Sequence, residues 1–126
     1  MSILDEIDTF VVVMLENRSF DHVLGYLSQP EYGGRADVDG LPDPNAFQCE
    51  NFHDNQVYKP FLAKDGRIDH DLPHERETIH EQLDFQNGKA TMGGFVKSYV
   101  ARTQSVVTQP PPMGYLTPDS VPISDF

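Results

Sequence analysis

Two short stretches of this 126-residue chain carry side chains able to do chemistry. The first is Glu16-Asn17. A carboxylate and an amide oxygen side by side are hard donors that suit Mg²⁺, Ca²⁺ or Mn²⁺, and the carboxylate also suits Zn²⁺. The same two residues fit a plainer duty as turn and cap before a helix. The second is the set His70, Asp71, His74 and His80. A neutral imidazole can ligate a metal or meet a phosphate oxygen, and an imidazolium can protonate a leaving group. His70 and His74 have the spacing of a helical zinc pair, but Pro73 breaks a helix there, and no H-E-x-x-H motif is present. The plainer reading is a solvated helix start, with Asp71 or His74 as its cap. Asp21 and His22 are neighbours on a helix and face different ways, so one faces the site and the other the surface. Ser19 lacks a G-x-S-x-G setting and reads as a helix-start residue. Cys49 is the only cysteine, so no internal disulfide forms, and it reads as structural or incidental.

These side chains need elements to hold them. Asp8 to Leu15 contains three consecutive valines between Phe10 and Leu15. Continuous hydrophobicity predicts a strand buried on both faces, as in a parallel sheet covered by helices. Glu16-Asn17 then lies at the strand's carboxyl end, where open α/β sheets bind ligands. Phe20, Val23, Leu24 and Leu27 follow at helical spacing, capped by Asn17 or Ser19 and shortened by Gly25. Residues 8–27 thus read as strand, turn and helix. Residues 28–73 are rich in Pro and Gly, show no sustained period, and read as a long loop over a larger body. Residues 74–103 read as short helices. Ile79 and Leu83 share a face of the first, which Asn87-Gly88 stops, and Phe95, Val96, Tyr99 and Val100 mark the second. Residues 104–126 form a Pro-rich tail, in which Pro110-Pro111-Pro112 reads as a rigid connector.

Composition narrows the classes. Lys and Arg total 9 against 20 Asp and Glu, for a net charge of -11. That field repels a polyanion, so no nucleic-acid partner is expected, and an anionic membrane surface is disfavoured. The longest apolar run, Phe10 to Leu15, is far short of a membrane span. Met1 to Glu6 has no basic or long apolar region, so no signal peptide is read; as written the chain is expected to be cytoplasmic, with its location otherwise open. Size scaling allows one domain with a folded surface of roughly 6,800 Å².

The order of the motifs is itself informative. Val12 to His22, reading Val-Val-Met-Leu-Glu-Asn-Arg-Ser-Phe-Asp-His, resembles the opening motif of the bacterial phosphoesterase family, which holds the non-specific phospholipases C and related acid phosphatases. Asp71-Leu72-Pro73-His74 resembles the family's Asp-Pro-Pro-His segment. Asn87-Gly88-Lys89 with Met92-Gly93-Gly94-Phe95-Val96 resembles its Asn-Gly-Gly-Lys-Met-Asp-Gly-Phe-Val segment, and Met113-Gly114-Tyr115 its Met-Gly-Tyr-Tyr segment. Leu72 in place of proline, the extra Ala90-Thr91, and Leu116 in place of tyrosine are departures that suggest a divergent branch.

The resemblance implies an α/β fold, the N-terminal part of an alkaline-phosphatase-like α/β/α sandwich that is incomplete in this chain. It implies Glu16 and Asn17 as metal ligands and His74 as a catalytic contact to the phosphoryl group of a phosphate ester or phospholipid substrate. The implied cofactor is a divalent metal ion, and the implied reaction is two-step phosphoryl transfer. Family members are often exported. Their nucleophilic Ser or Thr lies downstream of the Met-Gly-Tyr segment, so these 126 residues are expected to be inactive alone. A non-enzymatic binding module derived from the family is the alternative.

Overall fold

The computed structural model describes residues 8–12, 17–105 and 108–120. Three short α-helices are present among them. The first, α1, spans Phe20–Leu24 and runs into a 3-10 turn at Gly25–Ser28. Ser19 starts it, with its hydroxyl accepting from the His22 amide at 3.1 Å. That bond satisfies one of the N–H groups a helix start leaves free. The second and third, α2 (Arg76–Leu83) and α3 (Phe95–Thr103), pack on each other. Asp84 and Gln104 end them in left-handed conformations, with φ of 44° and 55°.

The contact between α2 and α3 is close. A Cβ at Gly94 would overlap the carbonyl oxygen of Glu81, so only glycine fits where α3 begins. Gly94 donates its amide to Gln82 O at 3.2 Å. Asn51, buried on a neighbouring strand, serves the same junction from outside. Its Oδ1 accepts from the Val96 amide at 3.1 Å, and its Nδ2 donates to Met92 O at 3.1 Å.

The strands are short and form three two-stranded pairings among the described residues. β1 (Asn51–His53) and β2 (Gln56–Tyr58) make an antiparallel hairpin, Asn51 opposite Tyr58. Its turn is Asp54-Asn55, with φ of 47° and 60°. Two successive positive φ values are what a two-residue hairpin turn needs to match strand twist. β4 (Phe85–Gln86) and β5 (Lys89–Ala90) repeat the device with Asn87 and Gly88, at φ of 53° and 78°. β3 (Phe61–Leu62) pairs in parallel with β6 (Gly114–Tyr115). β6 is also stitched to α1, with the Leu116 amide donating to His22 O at 2.8 Å.

The core is small. Tyr58, Val96 and Met113 form its centre, with Phe61 and Val100 against them. The accessible surface is 9292 Å², well above the roughly 6,800 Å² expected of a folded chain this size. Mixed helix and strand with so little interior is what an incomplete α/β domain would have.

The described residues depart from several expectations. The described part of the predicted buried strand, residues 8–12, forms no ladder, and Val11 and Val12 are each 84% exposed. A strand needs partner N–H and C=O groups, and no described strand lies beside it. Residues 13–16 lie outside the described residues. The stretch 28–73 holds the β1–β2 hairpin and β3 rather than loop alone. The proline run is a packed element: Pro110 is fully buried, and Pro111–Met113 forms a 3-10 turn against α3.

Candidate functional site

Asn17 sits at the turn before α1 in a left-handed conformation, φ 55°. Asparagine tolerates that region better than most residues, because its short polar side chain bonds locally. Here the side chain reaches further. Its Nδ2 donates to Asp71 Oδ1 at 2.8 Å, which joins two segments far apart in sequence. The bond occupies the amide nitrogen and leaves Oδ1 as a free oxygen donor. Arg18 Nη1 donates to Asn17 O at 2.8 Å and holds the turn from the other side.

His74 stands three residues beyond Asp71. Its Nδ1 lies 2.8 Å from Leu72 O and 3.7 Å from Asp71 Oδ2. A neutral ring that donates from Nδ1 keeps its lone pair on Nε2. The loop carrying His74 is fixed from behind by Gln82 of α2, whose buried Nε2 donates to Pro73 O at 2.7 Å. Glu75 follows His74, and Arg102 of α3 ion-pairs with it at the surface. The Arg102 guanidinium holds the Glu75 carboxyl down at about 2. Neither Asp71 nor His74 caps α2, which starts at Arg76 after Glu75.

These groups surround one cavity of about 340 Å³. Its polar wall is Asn17, Arg18, Ser19, His22, His74 and Gln82. Its apolar wall comes from Leu72, Pro73, Ile79, Phe95 and Pro112. His22 is 6% exposed and bonds Gly114 O through Nδ1 at 2.9 Å, while its Nε2 is buried without a partner among the described residues. Burial pushes the His22 ring below its ordinary value, against the opposing effect of the Gly114 carbonyl bond, and nearby Arg18 adds to the lowering.

The structure therefore brings Asn17 and His74 to one cavity. Glu16 lies outside the described residues. His70 is exposed, and His80 stands on α2 against the Phe85 ring, with centroids 5.9 Å apart, so neither lines the cavity. Of the adjacent pair, His22 faces inward and Asp21 is exposed. Cys49 is half-buried, and burial, then Asp21 and Asp43, push its thiol up, away from the reactive thiolate. Arg18 and Gln82 were not singled out from sequence. Arg18 adjoins Glu16-Asn17 and could have been found there, whereas nothing in the sequence marks Gln82. Among the described residues no group of three or more His, Cys, Asp or Glu is placed to hold a metal ion. The free Asn17 oxygen fits a hard cation as one ligand of a larger shell. Among the described residues no helix is long and apolar enough to cross a membrane.

The cavity lies between the Asn17-Arg18-Ser19 turn on one side and the Leu72-Pro73-His74 loop on the other. The chain belongs to the Phosphoesterase family, whose family model matches residues 7–125. It is similar to three proteins of Arabidopsis thaliana. It is 37% identical to non-specific phospholipase C1 over 95 residues, 72% of this chain and 17% of that protein. It is 29% identical to non-specific phospholipase C3 over 126 residues, 93% of this chain and 23% of that protein. It is 33% identical to non-specific phospholipase C6 over 97 residues, 72% of this chain and 17% of that protein. The chain thus spans only 17% to 23% of the length of these relatives. No solved structure matches it.

Proposed function

We propose that these residues form one wall of the active site of a hydrolase acting on phosphoric ester bonds, of phospholipase C or acid phosphatase type. The observation that carries this reading is the Asn17–Asp71 hydrogen bond of 2.8 Å, which closes two family segments around the cavity that His74 lines. His74 is anchored through Nδ1, so Nε2 is the atom free to meet a phosphoryl or leaving-group oxygen. Glu16 and Asn17 would hold a divalent cation, which when bound neutralises phosphoryl charge and acidifies a hydroxyl nucleophile. Asp71 positions the Asn17 amide so that its oxygen points away from the carboxylate bond. The apolar wall admits the carbon chain next to an ester and keeps water off that side.

A protein extended to the length of the curated relatives tests the reading by hydrolysis of p-nitrophenyl phosphate and of phosphatidylcholine. Glu16→Ala, Asn17→Ala and His74→Ala should each lower kcat/KM on the order of 100-fold. Unchanged rates in all three would sink it. A second reading, a binding module, draws on one observation. Among the described residues Ser19 is the only hydroxyl side chain on the cavity wall, and its oxygen is occupied in capping α1. The 126 residues should therefore bind a phosphate ester without turning it over. Single-turnover release of p-nitrophenol by the chain alone would exclude the module.

A further inference from the structure

The distribution of positive charge points to a residue that the family expectation did not assign. The chain is strongly acidic, and most of its described cations face carboxylates: Arg35 faces Asp37, Lys59 Glu50, Arg67 Asp69, Lys97 Glu81 and Arg102 Glu75. Four described cations have no carboxylate partner among the described residues, and of these Lys64, Arg76 and Lys89 are exposed while Arg18 is half-buried. Among the described residues Arg18 is also the only Lys or Arg on the cavity wall, and its one hydrogen bond runs from Nη1 to Asn17 O at 2.8 Å. The bond orients the guanidinium without neutralising it. A guanidinium has five N–H donors in a planar fork, and the remaining donors match two oxygens of a tetrahedral anion. A cation partly withdrawn from water with no counter-charge favours whatever anion can reach it.

We propose that Arg18 is an anion-binding residue of the cavity, taking two non-bridging oxygens of a phosphate monoester or diester. The inference rests on the reading of the cavity as a phosphoryl site and adds to it the group that supplies fixed positive charge. It also gives the Arg18–Asn17 bond a function. The bond ties the guanidinium to the residue whose amide oxygen would be one ligand of a cation, so Arg18 and that ligand are positioned by the same turn.

The test is calorimetric titration of the full 126-residue chain with inorganic phosphate and, separately, with glycerophosphocholine, a soluble diester. Wild type, Arg18→Gln, Arg18→Lys and His74→Ala are compared, with far-UV circular dichroism to confirm that each retains wild-type structure. Arg18→Gln should weaken binding about tenfold or more, the scale of a lost charge-assisted hydrogen bond. Arg18→Lys should recover part of the loss, because it keeps the charge but not the fork. A loss confined to one titrant supports the assignment and names the anion that Arg18 serves. If wild type and Arg18→Gln bind both titrants equally while His74→Ala binds weakly, the assignment to Arg18 is overturned and the phosphoryl reading stands. If wild type binds neither titrant, the reading of the cavity falls and the proposal falls with it.

Discussion

The junction of α2 and α3 and the rim of the cavity are made by opposite means. At the junction, Val96 and Tyr99 are buried, Gly94 admits no side chain, and Asn51 meets two backbone groups. At the rim, Asn17, Asp71 and His74 are half-buried or exposed, lie outside helices and strands, and are held by a few hydrogen bonds near the surface. One rim bond, Gln82 to Pro73 O, is buried and reaches back to α2. Stability therefore concentrates behind the site, and the residues that meet a ligand stay adjustable. Loops placed by a packed scaffold are where binding groups usually sit.

The sharpest way to break this contrast is Gly94→Ala. The added methyl would collide with the Glu81 backbone carbonyl, which cannot swing aside as a flexible side chain could. The helices would have to part, at a cost of about 3 kcal/mol or more, the upper range of overpacking. Thermal or urea unfolding should show a large loss or no cooperative transition. An unfolding midpoint like that of wild type would mean that the junction is looser than the close approach of Gly94 to the Glu81 carbonyl implies.

Asn51→Ala should come next. It strands the Val96 amide, which Asn51 alone serves from outside the helix, and it frees the Met92 carbonyl. An unsatisfied buried donor costs about 1–3 kcal/mol, so the loss should fall in that range. Asn17→Gly removes one exposed bond without forcing a new side chain into the left-handed region, and should cost less than ~1 kcal/mol in the same urea titration. If Asn17→Gly destabilised the chain as much as Asn51→Ala, rim and junction would not be separate in kind.

The sequence disclosed these regions unequally. α2 and α3 were legible because Ile79 with Leu83, and Phe95, Val96, Tyr99 and Val100, repeat at helical spacing, and α3 buries two of those four. Ser19 was legible as a cap. The hairpins were not. Asn87-Gly88 was read as a helix stop, but α2 already ends at Asp84, and the pair turns β4 into β5. Asp54-Asn55 was lost in a Pro- and Gly-rich stretch with strands too short to show alternation. The apolar run 8–15 has the composition of a buried strand, yet burial depends on neighbours that composition does not reveal. At the site, residue types gave Asn17 and His74, and the family order supported them. The contacts of Arg18 with Asn17 O and of Gln82 with Pro73 O depend on tertiary placement, which no spacing rule encodes.

Acid titration should separate the exposed rim from the buried inner wall of the cavity, with the smallest effects. Glu75 belongs to the exposed surface next to the rim, and its carboxyl is held at about 2 against an ordinary 4.5. In that window the unfolded chain binds the extra proton, so the stabilisation is complete above 4.5 and is lost as pH falls toward 2. Because the pair is exposed and salt-screened, the loss should be slight and should shrink in salt. His22 belongs to the inner wall, and burial lowers its ring from the usual 6.5. Here too the unfolded chain takes up the proton first, so stability is unaffected above 6.5 and declines as pH drops below it toward the folded value. Urea midpoints from pH 7.5 to 5.5 should fall in wild type and stay flatter in His22→Asn, which can still donate toward Gly114 O. Arg102→Gln should instead remove only the step below 4.5 and leave the neutral-pH profile intact. A neutral-pH slope that survived in His22→Asn would place its origin in another group, and the inner wall would lose its claim to be the drier of the two regions.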